Sequence, residues 1–316
     1  MLNPRKILVI RFSSLGDLVL TTPIFRELKR FYPDSEITLL TSSGLRSILD
    51  NNPQIDHVIM HSRKETRMQL KFLIQNLRKE KYDLIYDAHR SLRSIWIVWN
   101  LSGFGILKKP EVWSINKRSW QRSLLIRLKL NLLKKTDPQR LHLLRPLQTH
   151  TNLELHNQTE LFPDKSAILR TQEFLKKHNL QPKQFVAIGP SASYPLKCWP
   201  LEYFQVLISN LLEQGWHVVL VGAAEEKETT QLEEEFSGRV QSVAGLFSPL
   251  ESAELLRHAS IVVTNDTSVG HLAEAMRTPA LVLFGATVRE FGYAPFLQES
   301  KMLETSEVLY CRPCSR

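Results

Sequence analysis

Lys6-Ile7-Leu8-Val9-Ile10-Arg11-Phe12-Ser13-Ser14-Leu15-Gly16-Asp17 reads as a buried strand, a short polar turn and the entry to a helix. Ile7–Ile10 is a continuous apolar, mostly β-branched run. A run of that kind suits a strand covered on both faces, as in a parallel sheet. Ser13, Ser14 and Gly16 follow, where the backbone N–H groups of a helix start attract anions. Asp17 is the one carboxylate of this turn. It reads either as a helix-capping residue or as a general base.

The same unit recurs along the chain. The pattern predicts a helix over Leu18–Tyr32, ended by Pro33, then a strand Glu36–Leu40 and a short helix Leu45–Asn51. A strand His57–Met60, a helix Arg67–Lys79, a strand Asp83–Asp87 and a helix from about Ser91 come next. From Lys108 to about Pro182 the rhythm breaks into a polar, basic, poorly periodic stretch. It restarts with the strand Phe185–Gly189 and the helix Leu201–Gln214, with Pro200 placed for the first turn and Gly215 as its cap. Strand His217–Val221, helix Glu225–Phe236, strand Val240–Val243 and helix Leu250–His258 follow. Strand Ile261–Asn265, helix Ser268–Met276 and strand Ala280–Phe284 complete the series.

Strands alternating with helices imply βαβ units and parallel sheets. The expected class is α/β, with two Rossmann-like domains facing a central cleft. The expected domains are 1–165, carrying a basic insert at about 108–147, and 166–316. A chain of 316 residues with 43% hydrophobic content is consistent with two such cores and excludes a mostly disordered protein. Three cysteines exclude a disulfide scaffold. The longest informative uncharged stretch, Ser94–Leu107, has 14 residues, short of the roughly 20 a membrane span needs. Ile7–Ile10 is too short for a signal-peptide core. The expected compartment is the cytoplasm, with reduced thiols.

Charge is concentrated. The chain has 41 Lys and Arg against 32 Asp and Glu, a formal charge of +9. Lys108–Leu147 alone holds eleven basic residues against Glu111 and Asp137, which equals the whole excess. Trp113, Trp120 and the leucines of Leu124–Leu133 are interleaved with them. Such a mixture suits an anionic lipid surface, a nucleic acid or a solvated helix with one face in the core.

Ligands of parallel sheets bind beyond the strand C-termini, so the residues just after each strand are the candidates. After Gly189 come Ser191, Ser193 and Lys197, hydroxyls and a cation suited to a diphosphate or to solvent. After Val221 come Gly222 and the acids Glu225, Glu226 and Glu228. These either favour a first helical turn or grip a ribose diol, and spacing does not separate them. After Val263 come Asp266, Thr267, Ser268, Val269 and His271. Asp266, Thr267 and Ser268 read as a helix cap or, with the free N–H groups, as a phosphate cradle, and His271, inside the next helix, as a core or cleft histidine. No G-x-G-x-x-G follows a strand and no P-loop is present. No metal-ligand cluster precedes the tail, and the Cys311-Arg312-Pro313-Cys314 pair supplies at most two zinc ligands.

Taken in order, these strand ends resemble the ADP-heptose:lipopolysaccharide heptosyltransferases, glycosyltransferase family 9. The resemblance is carried by Ile10–Asp17 with Thr22-Pro23, by Tyr82–Arg90, by Lys197-Cys198-Trp199-Pro200, by Val221-Gly222-Ala223, by Asn265–Ala273 and by Leu283–Thr287. It implies a GT-B fold and an inverting, metal-independent transfer of heptose from ADP-heptose to an inner-core sugar of lipopolysaccharide. It implies Asp17 as general base and Lys197 as the support of the leaving diphosphate. It implies donor contacts from Ser191, Ser193, Glu226, Asp266, Thr267, Ser268, Val269 and His271. Ser13, Ser14, Gly16, His89 and Arg90 are the implied acceptor contacts.

The partners so implied are an ADP-sugar, an acidic lipid A-linked acceptor and the inner leaflet of the inner membrane, touched peripherally. No cofactor, metal or nucleic acid is expected, and the chain is expected to be a monomer. Three positions depart from the family pattern: Ser268 and Gly270 in the turn after Asp266, Cys198 between Lys197 and Trp199, and an end at Arg316 soon after the cysteine pair. A UDP- or GDP-sugar donor, or a non-catalytic carbohydrate- or membrane-binding relative, are the alternatives.

Overall fold

The computed structural model describes residues 3–62, 64, 66–103, 109–133, 137–151, 154–307 and 309–314. Lys108, Lys134 and Lys135 of the basic segment lie outside the described residues. The chain divides into two compact units. Unit 1 is Met1–Lys117 with Arg140–Thr159, and unit 2 is Arg118–Gln139 with Glu160–Arg316.

In unit 1, β1 (Lys6–Ile10) leads through α1 (Leu15–Val19) and α2 (Thr22–Phe31) to β2 (Glu36–Ser42). β3 (His57–His61), α3 (Arg67–Glu80), β4 (Leu84–Asp87), α4 (Leu92–Ser102) and β5 (Glu111–Ser114) follow. The five strands form a parallel sheet of order β3-β2-β1-β4-β5. The central strand is apolar on both sides because both faces are covered. Leu8, Ile10, Leu40 and Ile85 meet Ile74 and Leu77 of α3 and Ile97 and Leu101 of α4. The expected single helix over 18–32 is two helices. Pro23 sits in the first turn of α2, where its missing N–H is harmless; inside a continuous helix it would remove a hydrogen bond and clash with the preceding turn.

The middle of the chain is more regular than its sequence suggests. It holds β5, α5 (Ser119–Leu128), α6 (Gln139–Thr151) and α7 (Lys165–Lys177). The basic segment, expected to belong wholly with the N-terminal domain, is shared between the units. Arg118–Gln139 groups with unit 2 through specific bonds. Arg122 lies over the Phe291 ring at 5.3 Å and donates to the Phe291 carbonyl at 3.0 Å. Lys129 donates to the carbonyls of Cys311 and Pro313 at 3.1 and 3.0 Å. Gln139 N–H donates to Gly292 O at 2.8 Å.

Unit 2 continues with β6 (Phe185–Gly189), α8 (Leu201–Glu213), β7 (His217–Leu220), α9 (Lys227–Glu235), β8 (Gln241–Ser242), α10 (Pro249–His258), β9 (Ile261–Asn265), α11 (Ser268–Ala275), β10 (Ala280–Phe284) and β11 (Lys301–Glu304). Its parallel sheet has the order β11-β10-β9-β6-β7-β8. Gly215 takes the left-handed conformation, φ 81°, just past α8, which ends that helix. Val186, Ile188, Val218, Leu220 and Val263 form the core of one sheet face with Phe204, Ile208 and Leu232.

Candidate active site

Parallel register brings the second unit's candidate residues to one edge. Gly189 pairs with Thr264, and Asn265 with Leu283, so the loops after β6, β9 and β10 leave the sheet side by side. Asn265 ties them together. Its amide donates to Pro190 O and its carbonyl accepts from Trp199 N–H at 2.9 Å. The loop carrying Lys197 is thereby held against the end of β9. Lys197 Nζ lies 2.7 Å from Asp266 Oδ2 and 3.0 Å from Asp266 O. Asp266 is buried, and its Oδ2 also accepts from Thr287 Oγ1 at 2.7 Å. Thr267 caps α11, its hydroxyl accepting from Val269 N–H at 3.3 Å. Ser268 begins that helix, and His271 faces Tyr293 with ring centroids 6.0 Å apart.

The acids after β7, inseparable by spacing, are distinguished by geometry. Glu225 is exposed, whereas Glu226 and Glu228 are half-buried. Ser191 Oγ donates to Glu228 Oε2 at 3.0 Å and lies 3.2 Å from Thr229 Oγ1, which in turn donates to Glu226 Oε2 at 3.4 Å. Burial pushes the Glu226 carboxyl up from its ordinary range, and the neighbouring Glu228 adds to this. A Cβ on Gly222 would lie 2.2 Å from Glu226 Oε2, so only glycine lets that carboxyl fold back over the turn. Cys198 Sγ lies 3.9 Å from Glu228 Oε1. Burial and this carboxylate raise the thiol pKa. Ser193 is exposed in the same loop.

In unit 1 the ends of β1 and β4 are aligned, Ile10 with Asp87. Asp17 Oδ2 forms an ion pair with Arg11 at 2.7 Å and accepts from both Ser14 N–H and Ser14 Oγ at 3.2 Å. Gly16 is buried in the short α1, and Ser13 is half-buried. Arg11 also donates to Ala88 O, joining the Asp17 turn to the loop after β4. Buried Asp87 shapes that loop by accepting from the amides of His89 and Arg90 at 3.0 and 2.7 Å and from Ser94 Oγ at 3.0 Å. His89 is half-buried and Arg90 exposed. Beside them lies a cavity of about 270 Å³ lined by Phe12, His61, His89, Ser91 and Arg93.

Reasoning from sequence did not pick out Arg11, Asn265 or Thr287 as functional positions, and it left Glu228 unresolved from Glu225 and Glu226. Arg11 and Asn265 stand inside the quoted motifs and Thr287 ends one, so the signal was position within a motif. His61 and Arg93 gave none, because only the fold brings the end of β3 to the start of α4.

Comparisons agree with this architecture. The description "Glycosyltransferase family 9 (heptosyltransferase)" matches residues 71–316. Lipopolysaccharide heptosyltransferase 3 of Escherichia coli is 28% identical over 286 residues, covering 86% of this chain and 81% of the relative. The crystal structure of the glycosyl transferase family 9 protein of Veillonella parvula superposes with a TM-score of 0.79 at 21% identity, over 95% of this chain and 86% of that one. E. coli heptosyltransferase WaaC with ADP-2-deoxy-2-fluoro heptose gives 0.70 at 20% identity, over 94% and 92%. With two Rossmann-like units of the GT-B type, this chain belongs to glycosyltransferase family 9, the heptosyltransferases, and is an enzyme of the glycosyltransferase class.

Proposed function

We propose that the protein transfers heptose from ADP-heptose to an inner-core sugar of lipopolysaccharide, with inversion at the anomeric carbon and without a metal ion. The observation that carries this reading is the meeting of Lys197 and Asp266 at the edge of the second sheet, joined through Cys198 to the Ser191–Glu228–Glu226 cluster. The cluster is suited to a nucleoside with hydroxyls, Lys197 to its diphosphate. The acceptor hydroxyl oxygen attacks the anomeric carbon as the bond to the β-phosphate oxygen breaks. Its proton passes to the Asp17 carboxylate, and ADP leaves with its charge held by Lys197 and by amides at the start of α11. E. coli WaaC, of similar fold, was solved with an ADP-heptose analogue, and E. coli heptosyltransferase 3 is named for lipopolysaccharide. Both support the choice of donor and acceptor.

The acceptor in this reading is acidic and lipid-linked, and the protein works as a monomer on the cytoplasmic side of the inner membrane, in peripheral contact with it. Among the described residues no helix is long and apolar enough to cross a membrane. What supports contact is an apolar stripe on α4 and α3. Ile97 and Leu101 point inward, whereas Leu92, Ile95, Trp96 and Trp99, spaced i, i+3, i+4 and i+7, are exposed. Met68 and Phe72 of α3 are 80% and 64% exposed. Arg67, Lys71, Arg78 and Lys79 of α3 are also exposed, so an anionic bilayer matches the surface in both polarity and charge. Several cations of the basic segment, Arg118, Arg122, Lys129 and Arg140, make bonds within their own units. The stripe, rather than that segment, is the better docking surface.

A thermal-shift panel of ADP, ADP-heptose, UDP, GDP and NAD tests the donor. A ligand bound only by the folded state at 100 times its Kd adds about 2.7 kcal/mol of stability. Shifts confined to the ADP compounds are expected. A shift with UDP or GDP instead would replace the donor.

A further inference from the structure

We propose that the ring of Tyr293 is a specificity-determining contact to the sugar half of the donor, and that Arg122 of α5 is the positioning residue that sets that ring. The inference rests on the nucleotide-sugar reading given above and adds the residue by which the sugar, rather than the nucleotide, is felt.

Tyr293 stands on the loop after β10, and both ends of that loop are tied to donor-site elements. At its start Ala286 N–H donates to Leu196 O at 3.2 Å, next to Lys197, and Thr287 donates to Asp266. At its end the amides of Phe296 and Leu297 donate to Glu274 Oε1 on α11 at 2.6 and 2.9 Å, and Glu274 is 2% exposed. Between these ties the Tyr293 ring meets His271, with centroids 6.0 Å apart. His271 and Glu274 are three residues apart and share a face of α11, so the loop runs along that face. His271 lies three residues past Ser268, which is about 5 Å along the helix axis. The ring therefore stands about one helical turn from the amides proposed for the diphosphate, within reach of a sugar bonded to the β-phosphate. Tyr293 and His271 are both half-buried, so part of each ring is open to a ligand. An aromatic ring offers an apolar face to the C–H groups of a sugar.

The ring is set from outside the loop. Arg122 lies over Tyr293 at 5.6 Å and over Phe291 at 5.3 Å, and it donates to Phe291 O at 3.0 Å. Its charge is permanent, so this hold does not vary with pH. The rest of its segment follows the same course. Asn131 donates to Glu290 at 3.1 Å, and Gln139 N–H donates to Gly292 O at 2.8 Å. Gly292 has φ 84°, and a Cβ there would lie 2.7 Å from Asp137 O, so only glycine lets the two chains run this close. The stretch that carries much of the chain's excess charge thus spends Arg122 on the residue next to His271.

Calorimetry with ADP and with ADP-heptose separates the sugar contact from the nucleotide contact. Tyr293→Ala should raise the Kd of ADP-heptose about 3- to 10-fold and leave that of ADP unchanged. Tyr293→Phe, which keeps the ring, should retain the parent's affinity for both. Arg122→Ala should reproduce the selective loss, and Arg122→Lys, which keeps a cation over the rings, should recover part of it. The Arg122→Ala, Tyr293→Ala double variant should be little worse than either single one, because both remove the same contact. Acceptor KM should stay unchanged throughout, and melting curves check that each variant folds; where an alanine variant does not, Tyr293→Leu and Arg122→Lys carry the comparison. Equal losses for ADP and ADP-heptose, or no loss with either, overturn the sugar contact. Additive losses, or a change in acceptor KM alone, overturn the role of Arg122. Absence of ADP binding by the unsubstituted protein would instead overturn the reading on which the proposal rests.

Discussion

Lys197 and Asp266 neutralise each other across 2.7 Å, and both are largely withdrawn from solvent. In the proposed reaction, the donor diphosphate competes with Asp266 for the ammonium. The lysine is held in position before the donor binds, and the pair also supports the loop after β9.

Lys197→Ala should therefore have two separable effects. ADP affinity should fall about 10- to 100-fold, the worth of a charge-assisted hydrogen bond. Stability should fall by about 1–3 kcal/mol, because buried Asp266 keeps Thr287 as a partner but loses its cation. Calorimetry and urea melts measure the two. Unchanged ADP affinity would remove Lys197 from the donor site.

Asp17→Asn should leave ADP affinity unchanged and lower kcat by about 100- to 10,000-fold, the usual weight of a general base. Arg11→Met, which frees the carboxylate from its guanidinium, should lower kcat without altering donor binding, because the base survives but is no longer aimed. Single-turnover rates at saturating donor decide both. Full activity in Asp17→Asn would place the base elsewhere.

Glu226 gives a pH signature. Its carboxyl titrates above the ordinary value of 4.5, so, if Glu226 grips the ribose diol as proposed, ADP affinity should rise with pH through that higher midpoint as the carboxylate forms. Glu226→Gln should bind ADP more weakly at neutral pH and lose the dependence. The stability effect has a defined sign. A carboxyl with raised folded pKa contributes most below its unfolded pKa, and the contribution fades as pH rises through the folded pKa. The Gln variant should accordingly gain on the parent above that window in pH-resolved urea melts.

Gly222→Ala should copy Glu226→Gln in ADP affinity while leaving the fold intact. The new methyl displaces chiefly the end of the flexible Glu226 side chain and presses on Thr229 Oγ1, 3.0 Å away. The double variant should be little worse than either single one, since both remove the same contact. Additive losses would show that Gly222 acts by another route.

Leu92→Ser with Trp99→Ser should reduce co-sedimentation with phosphatidylglycerol vesicles and leave turnover of a detergent-solubilised acceptor unchanged. Equal sedimentation with phosphatidylcholine and phosphatidylglycerol would argue against the charge match. A mass change of the unsubstituted protein in sedimentation velocity, abolished by the two substitutions, would make the stripe an interface between copies.

How legible each part was follows from burial. Lys6–Ile10, Phe185–Gly189, Ile261–Asn265 and Ala280–Phe284 were readable end to end because inner strands of parallel sheets need unbroken apolar runs. The edge strands β5, Glu-Val-Trp-Ser, and β11, Lys-Met-Leu-Glu, pair on one side only and stay partly exposed, so they carry no such run. α5 and α6 were hidden among lysines and arginines whose partners are carbonyls distant in sequence, such as Phe291 and Cys311. For the site, Asp17, Lys197 and Asp266 were visible as polar residues in the turns that follow apolar runs. Arg11 and Thr287, which orient them, were not, because a hydrogen bond to a neighbouring loop leaves no trace in spacing.

Arg312 donates twice to the Thr287 carbonyl, at 3.1 and 2.7 Å, and Thr287 in turn donates to Asp266. Cys314 N–H closes on Ala286 O at 3.0 Å. Residues 312–314 are thus a splint for the loop after β10, where the donor is proposed to bind. Any tag, trimming or protease nick that unseats Arg312 would be felt first as a looser grip on nucleotide, in a protein whose two sheets were still fully formed.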